Sequence, residues 1–250
     1  MNNNLLKKFN KIEKIHWWWE GRRQIISQLI TRKKEQKILD IGFGTGETMS
    51  YLKKILFNPD LYGVDTSPVA VRFAKSRGHK NAKRGSATEL PYKAKTFDTV
   101  FALDVIEHIE DDQKVVDEMF RVLKPGGEAI VTVPGLPFIW SKHDSGQGHK
   151  RRYTRRRLVK LAKKAGFKVE FISYFNFILS PLIIFIRLIG RLKPFSGLNE
   201  YDSKLNYDLS RKKIINFFLK LIFVGEIKLL KWVTYPVGIS VATKFVKPND

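Results

Sequence analysis

Ile38-Leu39-Asp40-Ile41-Gly42-Phe43-Gly44-Thr45-Gly46 is the stretch on which the fold turns. Its first four residues read as a buried strand, and the glycines at 42, 44 and 46 end it. A helix is expected from Glu47 to Ile55. Glycine lets the backbone turn tightly and approach a ligand closely, and a helix N-terminus offers unpaired N–H groups. The spacing is Gly-x-Gly-x-Gly. A dinucleotide loop would place its third glycine where Glu47 stands, so a pyrophosphate is a poor fit.

Outward from this loop, strands and helices alternate. Leu61–Val64, Phe97–Leu103 and Glu128–Val133 read as strands, Pro68–Ser76 and Asp112–Leu123 as helices, with Pro125-Gly126-Gly127 stopping the latter. Such alternation implies crossover connections and a mostly parallel sheet covered on both faces. Asp65 ends the second strand, where a carboxylate can accept hydrogen bonds from a ribose diol. Loop, strand and terminal acid together point to a nucleoside ligand.

These residues carry a family resemblance. Lys37 to Val133 resembles the catalytic core of class I S-adenosylmethionine-dependent methyltransferases. Asp40 to Gly46 is similar to the family's first motif and Asp65 to its ribose-binding acid. Gly85-Ser86-Ala87-Thr88-Glu89-Leu90-Pro91 is similar to its adenine loop, departing at Ser86-Ala87, where many relatives carry an acid. Phe97-Asp98 and Asp104-Val105-Ile106-Glu107-His108-Ile109 resemble the fourth strand and the loop beyond it, and Leu123 to Gly127 the turn before the fifth. His16-Trp17-Trp18-Trp19-Glu20-Gly21-Arg22-Arg23 and His149-Lys150-Arg151-Arg152-Tyr153-Thr154 resemble flanking segments of ubiquinone-type O-methyltransferases and their bacterial relatives.

The resemblance implies a doubly wound, Rossmann-like α/β fold with a seven-stranded, mostly parallel sheet. It implies S-adenosyl-L-methionine as cofactor, held by Arg22, Asp40, Gly42, Gly44, Gly46, Asp65, Thr66, Ser86, Ala87, Leu103 and Asp104. The loop N–H groups of Gly42 to Gly46 are expected to face the methionine part, and Arg22 or Arg23 its carboxylate. The implied divisions are residues 1–36, an N-terminal helix and aromatic lid; 37–176, the cofactor-binding core; 177–236, an apolar, basic helical insertion; and 237–250, the last strand.

Methyl transfer is an in-line displacement on an activated carbon, so the protein mainly positions groups, excludes water and, for some acceptors, removes a proton. Asp104, Glu107 and His108 follow a strand's C-terminal end, where open α/β sheets place their sites. His143, Asp144 and His149 follow the fifth strand and are placed to reach the same crevice. The candidate bases are His108, His143 and His149; no metal site is expected, because the loop spacing fixes no ligand geometry. His16 is expected to pack in the lid and His79 to lie on the surface.

The 250 residues carry 46 Lys and Arg against 24 Asp and Glu, a formal charge of +22, and no cysteine. Disulfides, thiolate metal sites and cysteine nucleophiles are excluded. The charge asks for an anionic partner: nucleic acid, an anionic membrane or a phosphorylated substrate. Residues 145–250 hold 22 Lys and Arg against 6 acids, +16, leaving +6 for the rest. Leu5, Phe9, Ile12, His16 and Trp19 fall at helical spacing opposite lysines, predicting one basic amphipathic helix ahead of the core.

Residues 211 to 233, read as one helix, put Lys213, Asn216, Lys220 and Lys231 opposite Ile214, Phe218, Leu221, Ile222, Leu229 and Trp232. The pattern suits a membrane interface or the core-packing helix of a cap. The uncharged run Phe171–Ile186 is shorter than the ~20 residues that span a bilayer, and no secretory signal is visible. The expectation is a cytoplasmic enzyme, peripheral on the inner membrane face, that O-methylates a small lipophilic or lipid-linked acceptor. Two alternatives stand. Arg151, Arg152, Arg155, Arg156 and Arg157 with Tyr153 form a candidate phosphate-contacting patch, as in an RNA methyltransferase. A relative that binds the cofactor without turnover is the other.

Overall fold

The computed structural model describes residues 3–192 and 212–249, with side chains for 6–188 and 212–249. Residues 193–211 of the expected insertion, the side chain of Leu5 and Asp250 lie outside the described residues. Among the described residues seven strands form one sheet: β1 (Lys37–Ile41), β2 (Asp60–Asp65), β3 (Ala82–Arg84), β4 (Phe97–Leu103), β5 (Leu123–Pro134), β6 (Lys168–Phe175) and β7 (Ser240–Val246). Their order is β3-β2-β1-β4-β5-β7-β6. The first five pair in parallel, and β7 runs antiparallel between β5 and β6. The strand order reverses direction beside β1, so the C-terminal ends of β1 and β4 open onto the crevice where such sheets bind ligands.

Helices α1 (Asn3–Ile12), α2 (Trp17–Leu29), α3 (Glu47–Ile55), α4 (Pro68–Ser76), α5 (Asp112–Val122), α6 (Lys142–Gln147), α7 (Arg155–Ala165), α8 (Ser180–Leu192) and α9 (Lys213–Leu229) connect and cover the strands. Their ends follow local chemistry. Ser67 caps α4 through its hydroxyl ahead of Pro68, and Thr154 caps α7, which Gly166 ends at φ +95°. The core is formed by the strands and the helices packed on them, with Phe97 and Phe101 of β4, Phe175 of β6, Phe223 of α9 and Phe245 of β7 fully buried.

Two flanking elements differ from the sequence reading. The single N-terminal helix is two, broken at 13–15, because the Glu13 carbonyl is taken by Arg23 Nη1 (3.0 Å) and His16 caps the second helix by accepting from Trp18 N (3.1 Å). The helix expected over 211–233 ends at Leu229, so Lys231 and Trp232 lie beyond it.

The sidedness of α9 bears on the two readings of its pattern. Asn216 Oδ1 accepts from Trp17 N (3.0 Å), Lys220 approaches Glu20 (3.8 Å), and Phe223 stacks on Trp18 (5.4 Å between centroids). The helix therefore docks on α2 through a side that includes its predicted polar residues. Ile214 (74% exposed), Phe217, Phe218 and Leu221 face solvent. A core-packing cap helix would do the reverse. No helix among the described residues is long and apolar enough to cross a membrane.

Candidate active site

The first turn is built by three left-handed glycines. Gly42, Gly44 and Gly46 have φ of +66°, +58° and +80°, a conformation that a side chain disfavours. At Gly42 a Cβ would lie 2.6 Å from Val105 Cγ2, whereas at Gly44 the nearest atom is Leu6 Cδ2 at 3.8 Å. Gly42 is thus a packing glycine, and Gly44 faces open space that a ligand's backbone approach would use.

The three glycine amides are not directed at a ligand as the sequence reading has it. Gly42 N donates to Val64 O (2.7 Å), Gly46 N to Phe43 O (3.0 Å) and Gly44 N to Asp65 Oδ2 (3.0 Å). The turn is too tight to leave them free. Asp65 also accepts from Ser67 N (2.8 Å), so the acid braces the loop while each oxygen keeps a second lone pair.

Asp40 is buried at the end of β1, and its Oδ2 has no hydrogen-bond partner among the described residues. Burial raises its pKa to about 7; Arg22 works against the shift and Asp65 adds to it. An orphaned buried carboxylate beside an open glycine turn fits a ligand that carries positive charge and hydrogen-bond donors, as S-adenosylmethionine does. Arg22 Nη1 donates to Asp104 Oδ2 (3.0 Å) and approaches the Leu103 carbonyl (3.5 Å), so it lies over the crevice. Arg23 is turned away, onto Glu20 (2.7 Å) and the Glu13 carbonyl, which separates two arginines that the sequence left equivalent.

Asp104 sits at φ +57°, held by Thr132 Oγ1 (3.2 Å). Ala87 is buried, Ser86 is exposed with its hydroxyl accepting from Thr88 N (3.2 Å), and Thr66 is exposed with its carbonyl accepting from Arg84 Nε (3.1 Å).

Beyond β4 the chain makes a turn at Ile106–His108. The segment after α6 is pinned to it: Lys150 N donates to Glu107 O (2.7 Å), and the buried Tyr153 donates through its hydroxyl to Ile106 O (3.2 Å) and Asp112 (2.9 Å). His108 and His149 are thereby brought edge to face, 4.9 Å between ring centroids.

Glu107, His108 and His149 bring their ligand atoms within 4.8 Å of one another, a donor set for a cation that loop spacing did not reveal. Glu107 is 0% exposed and neither carboxylate oxygen has a hydrogen-bond partner among the described residues. Burial first, then the charge of Asp104, push its pKa well above the usual carboxylate range. Burial and the neighbouring His149 lower that of His108, which the Gly148 carbonyl opposes. That carbonyl lies 3.2 Å from His108 Nδ1 and can only accept, so the ring hydrogen sits on Nδ1. His143 stands outside the cluster, with Nε2 2.7 Å from Gln147 Nε2 in its own helix.

Several expectations are corrected. His79 is buried rather than on the surface: it closes α4 onto α3, 2.9 Å from Ser50 Oγ. The basic patch at 151–157 is split: Arg152 and Tyr153 are buried and Arg151 donates to Ile109 O (2.6 Å), whereas Arg156 and Arg157 are exposed, with Arg157 donating to Asp112 (2.9 Å). His16 is buried between Trp17 and Trp19.

Arg187 was missed altogether. It reaches from α8 to the buried Asp144 (3.2 Å), and its one sequence signal was a lone cation closing an aliphatic run. Arg77 was missed too: it ties Glu13 and Glu47 (2.7 Å each) across the glycine turn.

A reversing parallel sheet, a glycine turn after β1 and an acid closing β2 define a nucleoside-binding α/β domain. Residues 39–131 match the family described as "Methyltransferase domain", and this part of the chain is a class I S-adenosylmethionine-dependent methyltransferase core.

Among curated relatives, a norajmaline N-methyltransferase of Rauvolfia serpentina is 36% identical over 40% of this chain and 36% of its own. A "Probable S-adenosylmethionine-dependent methyltransferase" of Mycolicibacterium smegmatis is 27% identical over 62% and 61%. A 2-methyl-6-phytyl-1,4-hydroquinone methyltransferase of Oryza sativa is 31% identical over 50% and 39%. The chain thus spans 36% to 61% of the length of these relatives. A solved chain from the complex of the Haloferax volcanii Trm112 methyltransferase activator with a methyltransferase shares the fold, at 15% identity, TM-score 0.67 and coverage of 99% and 96%.

Proposed function

We propose that this chain transfers the methyl group of S-adenosylmethionine to an oxygen of a small lipophilic or lipid-linked acceptor, working as a peripheral protein on the inner face of an anionic membrane. The cofactor would be held by Arg22, Asp40, the glycine turn, Asp65, Thr66, Ser86, Ala87, Leu103 and Asp104. One observation carries the lipid part of this reading: α9 docks through Asn216, Lys220 and Phe223 and leaves Ile214, Phe217, Phe218 and Leu221 exposed, with Trp232 just beyond it 76% exposed.

Apolar side chains facing solvent beside Lys213, Lys228 and Lys231 suit a headgroup boundary, where each lysine contributes about 1 kcal/mol on anionic lipid. A relative that acts on a phytyl hydroquinone supports a lipophilic acceptor.

A specific feature keeps the RNA reading as a second one. Arg155, Arg156, Lys160, Lys163 and Lys164 line an open groove of about 730 Å³ along α7. The experiment is to incubate the full chain with labelled S-adenosylmethionine and a panel: a farnesylated catechol and a prenylated hydroquinone in phosphatidylglycerol vesicles, a water-soluble catechol, and transfer RNA. A gain of one CH2 on the vesicle-borne phenols is expected. Transfer to RNA alone supports the second reading, and cofactor binding with no transfer to any acceptor supports a relative without turnover.

A further inference from the structure

Glu107 and His108 belong to the turn at 106–108, and His149 to the segment after α6. Two tertiary contacts fix one against the other: Lys150 N on Glu107 O (2.7 Å) and the Tyr153 hydroxyl on Ile106 O (3.2 Å). One potential ligand atom from each of Glu107, His108 and His149 lies within 4.8 Å of the others. The fold thereby supplies a ligand geometry that loop spacing alone does not.

The two histidines are oriented in the same way. His108 Nδ1 lies 3.2 Å from Gly148 O, and His149 Nδ1 lies 3.1 Å from Asp144 Oδ1. Asp144 is buried and paired with Arg152 (2.6 Å) and Arg187 (3.2 Å), so it stands as an ionised acceptor. Each ring therefore carries its hydrogen on Nδ1. Among the described residues no hydrogen bond reaches either Nε2. A carbonyl behind one imidazole and a carboxylate behind the other is the outer arrangement that fixes the tautomer and direction of metal-bound histidine.

Glu107 is an independent observation. It is fully buried, and neither of its carboxylate oxygens has a hydrogen-bond partner among the described residues. The nearby cations are engaged elsewhere: Arg22 with Asp104, and Arg152 and Arg187 with Asp144. A carboxylate is costly to bury unless it is paired or coordinates a metal. Its orphaned oxygens sit in the same small cluster as the two oriented rings.

From this arrangement we propose a binding site for one divalent transition-metal ion of the Zn2+ class, held by the Glu107 carboxylate and by Nε2 of His108 and His149. Gly148 and Asp144 are the positioning groups behind the rings. Two imidazoles and one carboxylate, in a chain without cysteine, suit Zn2+ or Co2+. Mg2+ prefers oxygen ligands alone and is disfavoured. Such ions bind nitrogen and oxygen at about 2 Å, so opposite ligands stand about 4 Å apart. Small rotations of the half-buried rings close the remaining gap. Three protein ligands leave a further position for water or for an oxygen of a bound molecule. The site stands on its own geometry and does not depend on the methyl-transfer reading.

The experiment uses the purified full chain, stripped with a chelator and free of cofactor. Zn2+ is titrated by calorimetry, and Co2+ is followed by its visible absorption. The expected result is one ion per chain, with affinity at least about tenfold lower in both Glu107→Gln and His108→Asn. The Co2+ bands should be lost in both variants, and millimolar Mg2+ should not displace Zn2+. Zn2+ should raise the melting temperature of the unaltered chain and leave that of the variants in place. His108→Asn lies at a half-buried position, so it remains informative where Glu107→Gln fails to fold. The proposal is overturned if the stripped chain binds no Zn2+, if both variants bind it as tightly as the unaltered chain, or if Mg2+ displaces it. Methyl transfer to the acceptor panel is not part of this readout, so either outcome leaves the methyl-transfer reading to its own test.

Discussion

Gly42 and Gly44 differ by one contact, and it separates their predicted behaviour. Both are left-handed, which costs an alanine about 1–2 kcal/mol. Gly42→Ala adds a clash with Val105 and should lower the melting temperature markedly. Gly44→Ala has room, so the protein should stay folded while its affinity for S-adenosylmethionine, read by calorimetry, falls at least tenfold; unchanged affinity would remove the turn from the site.

Asp40 gives a pH prediction. Its folded pKa of about 7 lies above its unfolded value, so the native state holds the extra proton, and stability falls as pH rises between the two. An asparagine cannot ionise. The stability of Asp40→Asn relative to the unaltered protein should therefore be about 2–3 kcal/mol greater at about pH 8 than at about pH 5, by denaturant melts without ligand.

The residues legible in the sequence are those that act with near neighbours in the chain, such as the glycine turn. Asp65 was legible because it closes the adjoining strand. Glu107, His108 and His149 were each legible as candidates, but their meeting was not. It depends on the Lys150 amide and the Tyr153 hydroxyl reaching back to the turn at 106–108.

Among elements, strand and helix bounds in the core follow from alternation and capping. Glu47–Ile55, Pro68–Ser76 and Phe97–Leu103 fall where the sequence puts them. The sidedness of α9 was not legible, because a projection shows that two faces differ without saying which one meets the protein. Asn216 and Glu226 decide it through backbone amides: Asn216 takes Trp17 N, and Glu226 takes Phe177 N (2.8 Å) and Ile178 N (2.9 Å). Such partners are distant in sequence.

The contact between α2 and α9 yields a prediction against helix propensity. Gly21→Ala would favour an isolated helix by about 1 kcal/mol. Here the new Cβ would fall 2.2 Å from the Phe223 ring, so the variant should instead melt at a lower temperature. A rise would mean that the two helices pack less closely.

For the molecule as a whole, the uneven charge acquires an address. Among the described residues, Arg155, Arg156, Lys160, Lys163 and Lys164 line the groove on α7, and Lys213, Lys220 and Lys228 are exposed on α9 beside its outward apolar residues. Co-sedimentation with phosphatidylglycerol vesicles should therefore weaken from low to high salt, because exposed charges are screened within about 10 Å at 0.1 M. It should also drop when Phe217, Phe218 and Leu221 are changed together to serine, with the melting temperature little altered. Binding indifferent to both would refute the lipid surface. Neither the sequence nor the fold names the acceptor, because its pocket would be shaped by the lid and the insertion, where contacts join segments up to 201 residues apart.

The place of β7 has a consequence in time. It is the last of the described strands along the chain but lies inside the sheet, and it is the strand of that sheet with which β6 pairs. During synthesis the outer edge of β5 and the whole of β6 must wait, unpaired, while some sixty residues of greasy, basic chain emerge ahead of their partner. The Ile239 carbonyl that receives Arg152 arrives in the same moment. The segment that carries Arg152 would thus be among the last parts of the molecule to be set, and a ribosome stalled before Ser240 would hold a core with its glycine turn in place while Arg152 lacks the Ile239 carbonyl.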